Sequence, residues 1–231
     1  MYTDREGEAR LREAFGRAEA TDVELGWEDR WREFHRPVRV GPLWIGPPWE
    51  APPDGTVAVI VEPARAFGTG AHPTTRLCLE LLLTLHAKLG AAAVLDVGCG
   101  SGVLAIAAAA LRFSPVHAVD VEAEAVEETR RNAAANGVEV EARIADALRD
   151  ELPPSDVVLA NVERATVEAL APRLRCRFLV ASGYLERDEV LLSGFDRRDR
   201  RVADGWAADV YERRLSLQTR PSDVGRFPLP C

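Results

Sequence analysis

The stretch Val94-Leu95-Asp96-Val97-Gly98-Cys99-Gly100-Ser101-Gly102 decides the fold of this 231-residue chain. Its first four residues predict a buried parallel strand, because all of them except Asp96 are apolar. Three glycines at alternate positions then predict a tight turn, and the alanine-rich run from Val103 to Leu111 predicts a helix. Glycine takes positive φ and has no Cβ to block a cofactor, so strand, glycine turn and helix bring backbone close to a ligand. The first N–H groups of the helix point into the same crevice.

The spacing of the glycines narrows the choice of ligand. A nicotinamide dinucleotide fingerprint needs G-x-G-x-x-G, but position 103 is valine, so the third glycine is out of register. The next predicted strand, Val116 to Val119, ends in Asp120, whose carboxylate can accept hydrogen bonds from both ribose hydroxyls. This pattern resembles class I S-adenosylmethionine-dependent methyltransferases. The alternative is a tight strand–helix turn in an α/β protein that binds another ligand.

Composition and charge exclude several classes of protein. A net charge of −8 argues against non-specific binding to nucleic acid and suits an amine-bearing substrate. The four cysteines are scattered without a C-x-x-C pair, which predicts reduced thiols in a cytoplasmic protein and neither a disulfide frame nor a zinc site. The charged N-terminus is unlike a signal peptide, and no stretch approaches the ~18 apolar residues of a membrane span. We therefore expect no metal and no membrane partner.

The N-terminal part predicts a small helical segment. Apolar residues recur with helical spacing over residues 4–20, and a second short helix holds Trp27, Trp31 and Phe34, an aromatic stripe that is more typical of packing than of ligand binding. Residues 37–53 are rich in proline and glycine and predict a connector with two short strands, laid against the catalytic domain. The predicted domains are residues 1–53 for this segment and connector, 54–214 for the methyltransferase domain and 215–231 for a tail.

A second unusual stretch follows the predicted strand Val57 to Val61. The loop from Glu62 is rich in glycine and threonine, and Thr74 or Thr75 is predicted to cap a helix that runs to about Lys88. The loop is either an ordinary connection or a lid over the cofactor, which would place Phe67 and Thr69 near the methyl donor. His72 is the sole candidate for a general base in this loop.

Together these segments are similar to the family that methylates ribosomal protein L11 (PrmA). The resemblance rests on F-G-T-G-x-H-P-T-T-R at Phe67–Arg76, the glycine turn from Val94, Asp120, and Leu159-Ala160-Asn161-Val162, in this order and spacing. It extends back to Trp27 and forward to about Trp206. The family implies S-adenosylmethionine as cofactor, bound at Thr75, Gly98, Asp120 and Asn161. Gly100 and Gly102 join this set as members of the turn.

The chain departs from the family at its beginning. Only 26 residues precede Trp27, which is too few for the substrate-recognition domain that family members usually carry there. The methyl-donor site is therefore better supported than the ribosomal substrate. A related group methylates lysines of an electron-transfer flavoprotein subunit without that domain, so another protein substrate stays open.

The rest of the chain completes a doubly wound α/β fold with a mostly parallel seven-stranded sheet and an antiparallel final hairpin. The predicted elements are a helix from Ala123 to about Asn136, strand Val138–Ile144, strand Asp156–Ala160, helix Arg164–Leu174, strand Phe178–Ser182, helix Leu185–Gly194, and a hairpin of Arg198–Ala203 and Trp206–Arg213.

Two polar residues at strand ends complete the candidate site. The resemblance to class I methyltransferases implies that Asp146 reaches the adenine amine, and a helix cap is the equal alternative. Asn161 is the candidate catalytic residue, because its carbonyl or the neighbouring backbone carbonyls can accept hydrogen bonds from an amine and aim its lone pair; the alternative is a helix cap.

The sequence therefore predicts a methyl transferase acting on a lysine side chain or N-terminus of a protein, with ribosomal protein L11 as the first candidate. A small-molecule methyltransferase and a non-catalytic binding module are the alternatives. A closed apolar pocket would favour a small acceptor, and an open acidic groove beside Asn161 would favour a protein tail.

Overall fold

The computed structural model describes residues 36–62 and 70–214 of the chain. From Pro37 onward these residues lie in one compact unit. The predicted helices before residue 36, the predicted roles of Phe67 and Thr69, and the tail after Arg214 fall outside the described residues. The predicted domain limits at 53 and 214 stay predictions.

A seven-stranded sheet forms the centre of the described part. Its strands lie in the order β6-β5-β4-β7-β8-β10-β9, where the first five run parallel and β10 is antiparallel to both of its neighbours. The strands are β4 (Val94–Val97), β5 (Val116–Asp120), β6 (Glu141–Ile144), β7 (Val157–Asn161), β8 (Phe178–Leu185), β9 (Phe195–Ala203) and β10 (Trp206–Arg213). This confirms the predicted fold class, including the antiparallel hairpin that turns at Asp204-Gly205.

The helices of the described residues cover the two faces of this sheet, and an apolar core lies on each face. The central strands β4 and β7 are apolar at nearly every position because both of their faces are covered. The helices are α1 (Pro73–Leu89), α2 (Val103–Ala110), α3 (Ala123–Ala135) and α4 (Arg164–Leu170), the last continued by a 3-10 turn, Ala171–Arg173. The predicted elements are thus confirmed here with ends shifted by a few residues.

The order of the strands sets where a ligand can bind. From β4 the chain builds outward through β5 to β6, then returns to β7 on the other side of β4 and builds outward to β8. In open α/β sheets, ligands bind outside the carboxyl ends of the strands at such a reversal. The loops after β4, β5 and β7 therefore form the expected crevice.

A second, three-stranded sheet precedes the main one. It pairs β1 (Val38–Val40) antiparallel with β2 (Leu43–Gly46), and β2 parallel with β3 (Val57–Ile60). Trp44 on β2 is 5% exposed, and its ring lies so close to Gly46 that an added Cβ would stand 2.4 Å from it. The two short strands predicted for residues 37–53 are observed as β1 and β2, and every residue of β2 is buried.

The predicted helix from Leu185 to Gly194 is wrong. Strand β8 continues through Leu185, which pairs with Trp206 of β10, and the residues that follow form turns and extended chain. The side chain of Asp188 accepts a hydrogen bond from the Leu185 N–H at 2.9 Å, which closes a turn in place of a helix start. Val190 and Leu192 are buried, so the apolar pattern that predicted a helix face instead serves an extended covering segment.

The three cysteines among the described residues are buried free thiols. Burial raises the pKa of Cys99 to about 12, with the negative charges of Asp96 and Asp120 acting in the same direction. Burial likewise raises the pKa of Cys176 to about 12 and that of Cys78 further. Since the thiolate is the reactive form, these side chains serve packing.

Candidate active site

The glycine bend, residues 98–102, connects β4 to α2 at the reversal of the sheet. Gly98, Gly100 and Gly102 all have positive φ, at 71°, 54° and 82°. The N–H groups of Gly98 and Cys99 both donate to the Val119 carbonyl, at 2.9 and 3.2 Å, so the bend is attached to β5. A Cβ on Gly98 would lie 2.5 Å from a Val162 methyl group, and one on Gly102 would lie 2.8 Å from Thr129. The bend therefore requires glycine for its dihedral angles and for its space.

Asp120 faces this bend from the carboxyl end of β5. One carboxylate oxygen accepts the Gly100 N–H at 3.0 Å, and the other accepts the Glu122 N–H, also at 3.0 Å. Each oxygen has a second lone pair, so the carboxylate can still accept hydrogen bonds from two hydroxyls. The structure thus places Asp120 and the bend together, as the sequence predicts.

A cavity of about 270 Å³ opens beside these residues. Its size is near the lower end of the roughly 300–1,000 Å³ range of small-molecule pockets. It brings together three predicted site residues, Gly98, Asp120 and Asp146, with the apolar side chains of Val121 and Leu148. Val121 is 64% exposed and Leu148 is 38% exposed, so apolar surface is available on the rim. These features suit a ligand with one flat apolar part and one hydroxyl-bearing part.

A larger cavity, about 960 Å³, opens at the opposite edge of the sheet. It is lined by residues around the amino ends of β4, β7 and β8, including Ala93, Asp156 and Arg177. None of the predicted site residues that the structure describes lines it. Parallel α/β sheets bind ligands at the carboxyl ends of their strands, which is where the smaller cavity lies.

Asp146 holds a local turn and also borders the cavity. Its side chain accepts the Leu148 N–H at 2.9 Å, its own N–H donates to Asp150 at 2.8 Å, and Arg149 lies 3.3 Å from its carboxylate. It therefore stabilises a local turn while also lining the cavity. Its contact with an adenine amine stays a prediction.

Thr75 and Asn161 meet at the other side of the bend. Thr75 lies in the first turn of α1 and is 1% exposed, whereas Asn161 ends β7 and is half-buried. The Asn161 amide nitrogen is 3.4 Å from the Thr75 hydroxyl. This contact brings together two residues that lie 86 positions apart in the chain.

The N-cap of α1 is His72, so the prediction of Thr74 or Thr75 as the cap is wrong. The His72 ring nitrogen Nδ1 accepts the Thr74 N–H at 3.3 Å and lies 2.7 Å from the Thr74 hydroxyl. The ring also packs edge-on against Trp206, with 5.0 Å between centroids. Burial lowers the pKa of His72, which favours the neutral ring that this cap needs. Pro73 at the first helical position explains the shift, since proline suits the position after the cap.

Asp96 is a site residue to which the sequence pattern assigned no role. It is 1% exposed, and its carboxylate accepts the Ala105 N–H at 3.1 Å in the first turn of α2. Gly102, the N-cap of α2, has no side chain to do this, so Asp96 supplies the capping acceptor from within the sheet. Burial raises the pKa of Asp96 to about 7; the Ala105 hydrogen bond lowers it and the charge of Asp120 raises it. Its sequence signal is an acidic residue inside an apolar strand.

The described residues contain neither a candidate metal site nor a helix that could span a membrane. Over residues 36–62 and 70–214, no group of His, Cys, Asp or Glu side chains is arranged to hold a metal ion. Within the same ranges, no helix has both the length and the apolarity that crossing a membrane requires.

Comparison with known proteins agrees with this geometry. A protein from Geotalea uraniireducens named ribosomal protein L11 methyltransferase is 39% identical over 222 residues, covering 86% of this chain and 67% of that protein. One of the same name from Methylococcus capsulatus is 40% identical over 223 residues, covering 90% of this chain and 74% of that protein. The chain thus spans about two thirds to three quarters of the length of these relatives.

Solved structures and family models give the same result. The crystal structure of a ribosomal protein L11 methylase from Lactobacillus delbrueckii subsp. bulgaricus matches with a TM-score of 0.70 and 26% identity, covering 78% of this chain and 100% of that one. The family model for ribosomal protein L11 methyltransferase (PrmA) matches residues 9–209. On this evidence the chain belongs to the ribosomal protein L11 methyltransferase (PrmA) family.

Proposed function

We propose that this protein transfers a methyl group from S-adenosylmethionine to an amine of ribosomal protein L11. One observation carries the proposal: the glycine bend, Asp120 and an open cavity meet at the carboxyl edge of the sheet, in a chain of this family. The names of the relatives, ribosomal protein L11 methyltransferase, support L11 as the acceptor.

The donor would lie across the bend with its ribose hydroxyls on Asp120. The N-terminus of α2 follows the bend directly, and the positive end of its helix dipole favours the negative carboxylate of the donor's amino-acid end. The rim formed by Val121 and Leu148 suits an adenine ring, and Asp146 is available for the exocyclic amine. Each part of the donor thus has a described group of matching chemistry.

The methyl acceptor would approach beside Asn161. S-Adenosylmethionine supplies a methyl group already activated by its sulfonium, so the protein mainly positions the reactants and excludes water. The acceptor amine must arrive unprotonated, and a water-poor site favours the neutral amine by penalising its charged form. The Asn161 carbonyl oxygen is free of the Thr75 contact, which uses the amide nitrogen, and can therefore accept an N–H from that amine. One N–C bond forms, one S–C bond breaks, and the proton released goes to water.

The direct test uses purified protein, methyl-labelled S-adenosylmethionine and recombinant ribosomal protein L11. We expect label on L11, with mass spectrometry locating it on a lysine side chain or on the N-terminal amine. Asn161→Ala should lose most of the turnover, because the amide aligns the acceptor amine. A variant that keeps both its donor affinity and its turnover would contradict this role of Asn161.

The same assay with a cell extract separates the other acceptors. Label on another protein band would exclude L11 as the preferred substrate, and label in the small-molecule fraction would exclude a protein substrate. Absence of any transfer, together with absence of donor binding, would contradict the proposed activity altogether.

A further inference from the structure

Helix α3 contacts the glycine bend through two polar side chains that do not line the cavity. These side chains, Thr129 and Asn132, lie three residues apart and therefore on one face of the helix. Thr129 is 0% exposed and Asn132 is 4% exposed. Buried polar groups are costly unless they are hydrogen-bonded, so their partners show what this face of α3 does.

Thr129 holds the middle of the bend. Its hydroxyl oxygen lies 3.0 Å from the Gly100 carbonyl and 3.3 Å from the Cys99 sulfur. A hydroxyl has one proton to donate, and the carbonyl is the stronger acceptor, so the proton goes to Gly100. The same side chain fills the space that a Cβ on Gly102 would occupy.

Asn132 joins the bend to the small sheet. Its amide nitrogen donates to the Ser101 carbonyl at 2.9 Å, and its amide oxygen accepts the Glu62 N–H at 3.3 Å. Glu62 follows β3 by two residues, so one side chain connects the end of β3 to the bend.

Asn136, one helical turn further along, makes a similar connection without the bend. Its amide oxygen accepts the Ile60 N–H and its amide nitrogen donates to the Ile60 carbonyl, both at 2.7 Å. It therefore attaches β3 to the end of α3, and within the described part of the chain none of its side-chain hydrogen bonds reaches residues 98–102. This difference makes Asn136 a natural control for Asn132.

Hydrogen bonds from several elements thus hold the backbone of the bend. No side chain of α3 lines the cavity. The N–H groups of the bend are directed by Val119 and Asp120, and its Gly100 and Ser101 carbonyls by Thr129 and Asn132. A glycine-rich segment loses more conformational freedom on ordering than any other, and a ligand that had to order it would bind less tightly.

We propose that Thr129 and Asn132 are positioning residues that hold the glycine bend in its donor-binding shape. They act through the bend carbonyls and touch no donor atom themselves. The inference depends on the proposed function, because it takes the bend as the site of the donor's amino-acid end.

The test compares matched variants by calorimetric titration with S-adenosylhomocysteine, the product, and by thermal unfolding. Thr129→Val keeps the shape of the side chain but removes the hydroxyl that donates to the Gly100 carbonyl. Asn132→Leu removes both amide contacts. We expect each to weaken binding about five- to tenfold, the equivalent of one hydrogen bond. Thr129→Ser keeps the hydroxyl and should stay within twofold of the wild type. Asn136→Leu should lower the melting temperature and leave the dissociation constant within twofold.

Two results would overturn the inference. One is that Asn132→Leu and Asn136→Leu lower the melting temperature alike while neither changes the dissociation constant. The other is that Thr129→Val binds the product as tightly as the wild type and Thr129→Ser do. This comparison decides the matter even if Asn132→Leu fails to fold. If the wild type itself does not bind the product, the proposed function fails and the inference fails with it.

Discussion

At the scale of single residues, Asp120 carries the largest share of the proposed donor binding. Its two carboxylate oxygens are each fixed by one backbone N–H, so the side chain does not need to reorganise when a ligand arrives. A hydrogen bond to a charged acceptor is worth about 1.5–3 kcal/mol, roughly twice the value for a neutral one.

We therefore expect Asp120→Ala to weaken binding of S-adenosylhomocysteine by about 10- to 100-fold. Calorimetric titration measures the effect directly, and circular dichroism of the variant checks that the fold is retained. A folded Asp120→Ala variant whose dissociation constant is within twofold of the wild type would contradict the assignment of the ribose to this carboxylate.

Asp96 predicts a pH dependence of stability. Burial raises its pKa in the folded protein to about 7, from an ordinary value of 3.8. Between these values the unfolded state binds fewer protons than the folded state, so the contribution of Asp96 to stability falls as the pH rises from about 4 to about 7. The gap corresponds to roughly 4 kcal/mol at most.

Asp96→Asn removes this titration and keeps an oxygen that can accept the Ala105 N–H. The free energy of unfolding, measured by urea denaturation, should therefore fall more for the wild type than for the variant as the pH rises from about 4 to about 7. A difference between the two proteins that is constant from pH 4 to 7 would show that folding does not raise the pKa of Asp96.

At the scale of elements, the junction of β7 and β8 places the acceptor side of the site. Gly183 of β8 has a φ of 101°, and a Cβ on it would stand 2.0 Å from the Val162 carbonyl oxygen. Val162 directly follows Asn161 and lines the cavity. The close approach of these two backbones therefore determines where Asn161 ends β7.

We expect Gly183→Ala to lower the free energy of unfolding by about 2 kcal/mol more than Gly205→Ala does. Both glycines have positive φ and share the backbone penalty of alanine there, but an added Cβ on Gly205 meets nothing within 4 Å. Chemical denaturation gives both values. Equal losses in the two variants would mean that the contact with Val162 has no energetic weight.

The elements also show how far the sequence could predict the structure. The bend and Asp120 follow from local pattern, because an apolar strand, alternate glycines and an acidic strand tip each leave a signal within a few residues. The segment after Leu185 does not, since its covering role depends on pairing with Trp206, twenty-one positions away. Asn132 and Thr129 are likewise invisible to pattern, because their partners come from other elements through the fold.

At the scale of the whole molecule, the charge of the chain is arranged to protect the edge of the sheet. The edge strand β9 carries arginine and aspartate side chains that pair with neighbours, such as Arg198 with Glu212 and Arg201 with Glu80, at 3.1 and 3.4 Å. Charged edge strands discourage pairing with a second sheet. The edge strand β9 is thus rich in arginine although the chain as a whole carries a net charge of −8.

The most direct test of the proposed donor site is a crystal structure of the protein with S-adenosylhomocysteine, which shows which of the two cavities holds the product. We expect both ribose hydroxyls within about 2.6–3.2 Å of the Asp120 carboxylate, with the amino-acid end on residues 98–102. The product bound instead in the larger cavity beside Arg177, or Asp120 turned away from the sugar, would contradict the assignment of the donor to the carboxyl edge of the sheet.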